Sequence, residues 1–182
     1  YLLGRRLRLR YVGQGGRSGL LLPERGDALA LVPAADPVLR QALVRYGEEV
    51  GHWAVPGNDW GLRLFRLHGR DAAALASEMP LRGGVTFDNG MRLLGARVEG
   101  ELVPGGHLDV TTYWTFTGQV TNPALTDTVF THLVDGDGKR WAQNDGFALS
   151  HEQWKAGDTL VQWFGIDLPG DLPEGEFWLY TG

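Results

Sequence analysis

Apolar and polar residues alternate strictly from Leu108 to Thr117. Leu108, Val110, Thr112, Trp114 and Phe116 hold one phase, and Asp109, Thr111, Tyr113, Thr115 and Thr117 hold the other. Side chains of a strand point alternately to opposite faces, so this period of two predicts a strand with one face in a core and one in water. Shorter runs of the same character fall at 85–88, 91–99, 128–134, 139–144, 159–167 and 176–181. Turn residues separate them at Gly105-Gly106, Asn122-Pro123, Asp135-Gly136-Asp137-Gly138 and Pro169-Gly170. Regularly spaced short strands of this kind predict an antiparallel β-sandwich, jelly-roll-like, over residues 85–182.

The first part of the chain reads differently. Residues 5–12 alternate basic and apolar, a strand pattern, and Gly13 to Gly19 is a glycine-rich turn. Leu20–Leu22 and Ala28–Val32 read as two short strands joined around Gly26-Asp27. Asp36 suits a helix N-cap, Pro37 the first helical position and Gly47 the stop, with Val38, Leu39, Ala42, Leu43 and Tyr46 on one face. Gly61–Leu67 predicts a further strand, and Asp71–Met79 a short helix ended by Pro80. Residues 1–80 are therefore expected to form a small α/β unit, with the boundary at Pro80–Gly84. The fold class expected for the whole is α+β.

Charge sharpens this division. Residues 1–80 carry 11 Lys+Arg against 8 Asp+Glu, and residues 81–182 carry 6 against 14, giving +3 and −8. An acidic second part argues against nucleic acid as partner, because that binding depends on neutralising phosphates. Arg5, Arg6, Arg8 and Arg10 suit the outer face of a strand, or a stretch lying near a membrane surface. The chain has no cysteine, which removes thiolate catalysis, zinc–thiolate sites and disulfides. No apolar run reaches the ~20 residues that span a bilayer. The chain starts at Tyr1 and stops inside a strand pattern, so we expect a piece of a longer protein.

Few residues announce chemistry. Asp135-Gly136-Asp137-Gly138 resembles the start of a calcium loop, but Lys139, Arg140 and Trp141 stand where further oxygen ligands belong. Asp-Gly is also hairpin chemistry, and a hairpin is the expectation here. A calcium ion held elsewhere through Asp145 is the alternative, and no other cofactor is implied. The five histidines, at 52, 68, 107, 132 and 151, lack metalloprotease spacing. His132 lies on a strand and is expected to be a satisfied structural histidine, the alternative being a pair with Asp145 or Asp127 across a sheet face. No Gly-x-Ser-x-Gly elbow is present, Gly13-Gln14-Gly15-Gly16 fits no nucleotide loop, and no carboxylate pair is singled out for glycoside hydrolysis.

Tryptophan is the stronger signal. Trp114, Trp141, Trp154, Trp163 and Trp178 lie in the acidic second part. A flat ring stacks on the C–H face of a pyranose while carboxylates take its hydroxyls, yet tryptophan also fills cores. Trp114 and Trp178 are expected in the core. Trp141 beside the hairpin and Trp154 in the loop Ser150–Gly157 are the expected sugar platforms, with His132 and Asp145 as polar partners.

A set of short motifs follows in order: Phe87-Asp88, Arg92-Leu93-Leu94-Gly95, Leu108 to Trp114, Val129 to Asp135, Gly138, Trp141 to Asp145, Trp154 with Gly157-Asp158, and Leu168-Pro169 through Pro173-Glu174-Gly175 to Trp178. Read together, residues 87–182 resemble the C-terminal extramembrane β-sandwich of bacterial multi-spanning membrane glycosyltransferase-like proteins related to protein O-mannosyltransferases. Ala96 stands where that pattern has an aromatic, and Gln162 where an acid is common. The resemblance implies an accessory domain outside the cytoplasm, anchored by its parent and facing a glycan, a lipid-linked sugar or an acceptor. It implies no catalytic residue within this chain. The competing expectations are a structural or protein-interaction module without a small-molecule ligand and, last, a free-standing carbohydrate-active enzyme.

Overall fold

The computed structural model describes residues 19–33, 37–54, 56–57, 61–118, 128–146, 149, 153 and 155–182. The expected strand at 5–12, the Asp36 cap, the Asn122-Pro123 turn, Asp127, His151 and Trp154 lie outside them. The elements run β1 (Gly19–Leu22), β2 (Asp27–Pro33), α1 (Pro37–Tyr46), β3 (Gly47–Ala54), β4 (Gly61–His68), α2 (Ala72–Glu78), β5 (Leu81–Arg82), β6 (Met91–Gly100), β7 (His107–Phe116), β8 (Val129–Asp135), β9 (Arg140–Gly146), β10 (Thr159–Asp167) and β11 (Phe177–Thr181).

These strands make three antiparallel sheets, ordered β1-β10-β7-β6-β5, β11-β8-β9 and β2-β4-β3. The β-rich antiparallel character expected from the alternation is present, and the helices fall in the first part of the chain. The two predicted strands around Gly26-Asp27 both form, but not as a hairpin. β1 pairs with β10, Leu20 opposite Val161, whereas β2 pairs with β4 in another sheet. A strand from the first eighty residues thus lies in the sheet built mainly from later ones. The strand expected at 85–88 reduces to a single bridge between Thr86 and Arg92.

α2 begins where the sequence places it. The Asp71 carboxylate accepts bonds from the Ala73 and Ala74 amides at 2.9 and 3.1 Å, a cap worth about 1 kcal/mol. Pro80 lacks the N–H to continue the helix. Gly47 both ends α1 and starts β3, where its backbone approaches Arg66 so closely that a Cβ would collide with the Arg66 carbonyl. Sequence reading missed β3 because Gly-Glu-Glu-Val-Gly-His has no apolar alternation.

Two cores flank the five-stranded sheet. On one side Val110, Trp114, Phe116, Leu160, Phe164 and Ile166 meet Val129 and Leu133 of β8. On the other Leu20, Leu22, Leu94, Tyr113 and Val161 meet Leu43 and Tyr46 of α1, Phe65 and Leu67 of β4, and Leu75 of α2. The wet face expected for β7 therefore holds only toward Asp109. Tyr113 is buried, and its hydroxyl accepts a bond from the Tyr46 hydroxyl at 2.9 Å. Burial and that bond push the Tyr46 phenol well above its ordinary value. Each large side chain buried this way contributes about 1.5–3 kcal/mol before chain entropy is counted.

Candidate functional site: the open face of a three-stranded sheet

The sheet β11-β8-β9 has one face in the first core and the other open. In β8, Val129, Thr131 and Leu133 point inward and Phe130 and His132 outward. The register puts Tyr180 opposite His132, Trp178 opposite Val134, Gln143 opposite His132, Asp145 opposite Phe130 and Arg140 opposite Val134. Directly opposed residues share a face. One surface therefore carries three aromatic rings, an imidazole, a carboxylate, an amide and a guanidinium.

Its aromatics are open to solvent, Trp178 at 46 % and Tyr180 at 55 % of full exposure. Trp178 was expected in the core, and the structure places it outside. In Phe177-Trp178-Leu179-Tyr180 every position is apolar or aromatic, so the sequence offers no phase. Pairing with β8 sets it, turning Phe177 and Leu179 to the core and Trp178 and Tyr180 outward. Trp114, also expected in the core, is there at 1 % exposure, its indole N–H donating to Thr112 Oγ1 at 2.9 Å.

His132 and Asp145, the alternative pair for a sheet face, are brought side by side. His132 Nε2 stands 3.1 Å from Asp145 Oδ1, an approach too oblique for a hydrogen bond, and Nε2 has no other partner. The Phe130 ring lies over the imidazole, centroids 4.8 Å apart and tilted by 40°. The Thr131 amide holds the same Asp145 oxygen at 3.4 Å. Nε2 is shielded from water and lacks an aligned partner, so its hydrogen-bonding capacity is unspent just beneath the open face.

At one end the face runs into a concavity of about 420 Å³ lined by Asp135, Gly136, Asp137, Glu174, Glu176 and Trp178. The hairpin that forms its rim is built as expected. The Asp135 carboxylate accepts from the Asp137 amide (3.0 Å), the Lys139 amide (2.9 Å) and the Trp141 indole N–H (2.7 Å). The Trp141 bond, then that of Lys139, holds this carboxyl below its ordinary value. Its oxygens thus serve the turn. Among the described residues no three His, Asp or Glu side chains gather closely enough to hold a metal ion.

Trp141 faces the other way from Trp178. It packs against the first core, donates to Asp135 and carries the Lys139 ammonium 3.3 Å from its ring centroid. A sugar stacking there would first displace that cation–π contact. Gln162, the neutral residue at a position where the resembled pattern has an acid, is fully buried. Its amide donates to the Gly146 carbonyl at 2.9 Å, linking β10 to β9 across the core. An acid there would bury a charge at several kcal/mol unless paired.

Among the described residues no helix is long and apolar enough to cross a membrane. Comparison with protein-family models, with curated proteins and with solved structures finds no match to this chain.

Proposed function

We propose that this chain is a non-catalytic accessory domain that recognises a glycan on the open face of the β11-β8-β9 sheet. Its parent is a membrane glycosyltransferase-like protein, and the domain stands on the extracytoplasmic side. In this reading the five- and three-stranded sheets around the first core act as a β-sandwich, jelly-roll-like, with the binding surface on the outside of the smaller sheet. The observation that carries it is the exposed pair Trp178 and Tyr180 beside Phe130, His132 and Asp145. Stacked rings take the apolar face of a pyranose, and the imidazole, carboxylate, Gln143 and Arg140 take its hydroxyls. Trp141 and Trp154 are the further platform candidates.

Calorimetric titration with gluco- and manno-oligosaccharides tests this. Saturable binding should weaken about tenfold in Trp178→Ala and in Tyr180→Ala, the loss of one stacked ring. If Trp141→Ala or Trp154→Ala alone abolishes binding, the site lies at the hairpin or the loop. Absence of binding across the panel by the folded chain sinks the glycan reading.

A second reading, a structural or protein-interaction module, is favoured by another surface. The outer face of β2-β4-β3 exposes Leu29 (63 %) and Leu31 (58 %) beside Leu62, Leu64 and the exposed Trp53. A contiguous aliphatic face of this kind marks contact with another macromolecule. Concentration-dependent sedimentation with no glycan response would favour this reading.

A further inference from the structure

A second cleft, of about 280 Å³, opens where the end of α2 faces β5 and β6, and Ser77, Arg82, Gly83, Gly84, Arg92 and Leu94 line it. It lies outside the aromatic face and stands or falls independently of the glycan reading. The backbone here is drawn tight against β6. The Gly83 and Gly84 amides donate to the Leu94 and Leu93 carbonyls at 3.0 and 2.8 Å. A Cβ on Gly83 would strike the Leu93 carbonyl, so only glycine permits this approach. Gly84 has φ of 137°, and a Cβ there would point into empty space. The cleft is thus walled by bare backbone on one side and by Leu94 on another.

Arg82 and Arg92 both line this small space, and both are exposed. Neither has a hydrogen-bond or ion-pair partner among the described residues. Other arginines divide: three in the first part of the chain are neutralised, whereas Arg40, Arg97 and Arg140 have no ion pair among the described residues. Arg63, Arg66 and Arg70 meet Glu49, Glu48 and Glu78 at 2.7, 2.8 and 3.0 Å. Residues 81–182 hold 14 acids against 6 bases, so carboxylates are not scarce. Two unpaired arginines on the rim of one concave site present positive charge with no carboxylate of the described residues against it. Their planar forks fit an oxyanion in bidentate fashion.

We propose that this cleft binds a phosphate group, held between Arg82 and Arg92 with its substituent lying over Leu94. Phosphate matches two forks at once, and the volume suits a small phosphate ester. The group can belong to a free solute or to a lipid headgroup.

The 182-residue chain should be titrated in three arms: inorganic phosphate, glucose 1-phosphate, and phosphatidylcholine vesicles with and without phosphatidic acid. Amide shifts of Gly83 and Gly84 report the soluble ligands, and co-flotation reports the vesicles. Saturation by either soluble ligand assigns a free phosphate, and binding only to vesicles with phosphatidic acid assigns a lipid headgroup. In each case affinity should fall about tenfold in Arg82→Gln and in Arg92→Gln, as for loss of a charged hydrogen bond. Arg40→Gln, an exposed charge on α1, should leave affinity within about twofold, and thermal melts should verify that all variants fold. Binding in no arm overturns the proposal. So does equal weakening by Arg40→Gln, which would reveal diffuse attraction to positive charge.

Discussion

The two three-stranded sheets are built alike and finished differently. Both have one covered face, Phe65 and Leu67 in β2-β4-β3 and Val129 and Leu133 in β11-β8-β9. On the first, the open side is mainly aliphatic, with Leu29, Leu31, Leu62 and Leu64 at its centre and the Asp27–His68 and Glu48–Arg66 pairs toward one end. On the second, rings and polar groups are interleaved, with Trp178 and Tyr180 next to His132, Gln143 and Asp145. Aliphatic surface attracts by area and has little direction, whereas rings with polar neighbours select for shape and hydroxyl pattern. The covered faces secure the fold. The open faces are where the two sheets are free to diverge.

The largest effects should come from the covered faces. Phe65→Ala should cost about 3–5 kcal/mol and Leu133→Ala about 2–5 kcal/mol in urea unfolding, since each empties a filled core. A loss under about 1 kcal/mol at either site would mean that its sheet is not truly packed. Next comes the joint between the helical layer and the five-stranded sheet. Tyr46→Phe and Tyr113→Phe should each cost about 1–2 kcal/mol by orphaning a buried hydroxyl, while the double variant should lose less than the two together. Strict additivity would show the two hydroxyls to be uncoupled.

Open-face changes should be smaller still. Trp178→Ala and Leu31→Ser should each shift stability by no more than about 0.5 kcal/mol, with only Trp178→Ala affecting glycan titration. A larger stability loss in Trp178→Ala would recast that ring as structural. The smallest effect belongs to a surface pair on the five-stranded sheet. The Asp167 carboxylate 2.7 Å from His107 Nδ1, helped by Asp109, raises the imidazole above its ordinary value of 6.5. The resulting stability should be complete below that value and fade as pH rises through the raised one. Asp167→Asn should flatten the fade, and an unchanged profile in that variant would exclude the pair as its source.

How much of this was readable beforehand varies by element. The alternation in β7, the Asp-Gly hairpin after β8 and the short helix ended by Pro80 are local, and each formed where the sequence put it. His132 fell on a predicted strand and Asp145 just past the end of another, so the sequence could offer their meeting as an option. Trp178 could not, since its segment is apolar in both phases. Trp154 lies outside the described residues, and Trp141 is engaged by Asp135 and Lys139. The cleft between Arg82 and Arg92 had no signal in one dimension, because it needs the end of α2 brought onto β5 and β6.

By itself the sequence determined most of the strands and both helices, several of the turns, and the antiparallel β character of the second part, but not β3 or β5. Period, capping and turn chemistry act over a few residues and need no partner to be legible. Tertiary structure alone decided that β1 leaves β2 for β10, that Tyr113 is buried against Tyr46, and that Trp178 faces water. Backbone hydrogen bonds are the same for every strand, so they carry no address. Only the simultaneous packing of side chains on both faces of the central sheet chooses which strand lies beside which, and which face remains open.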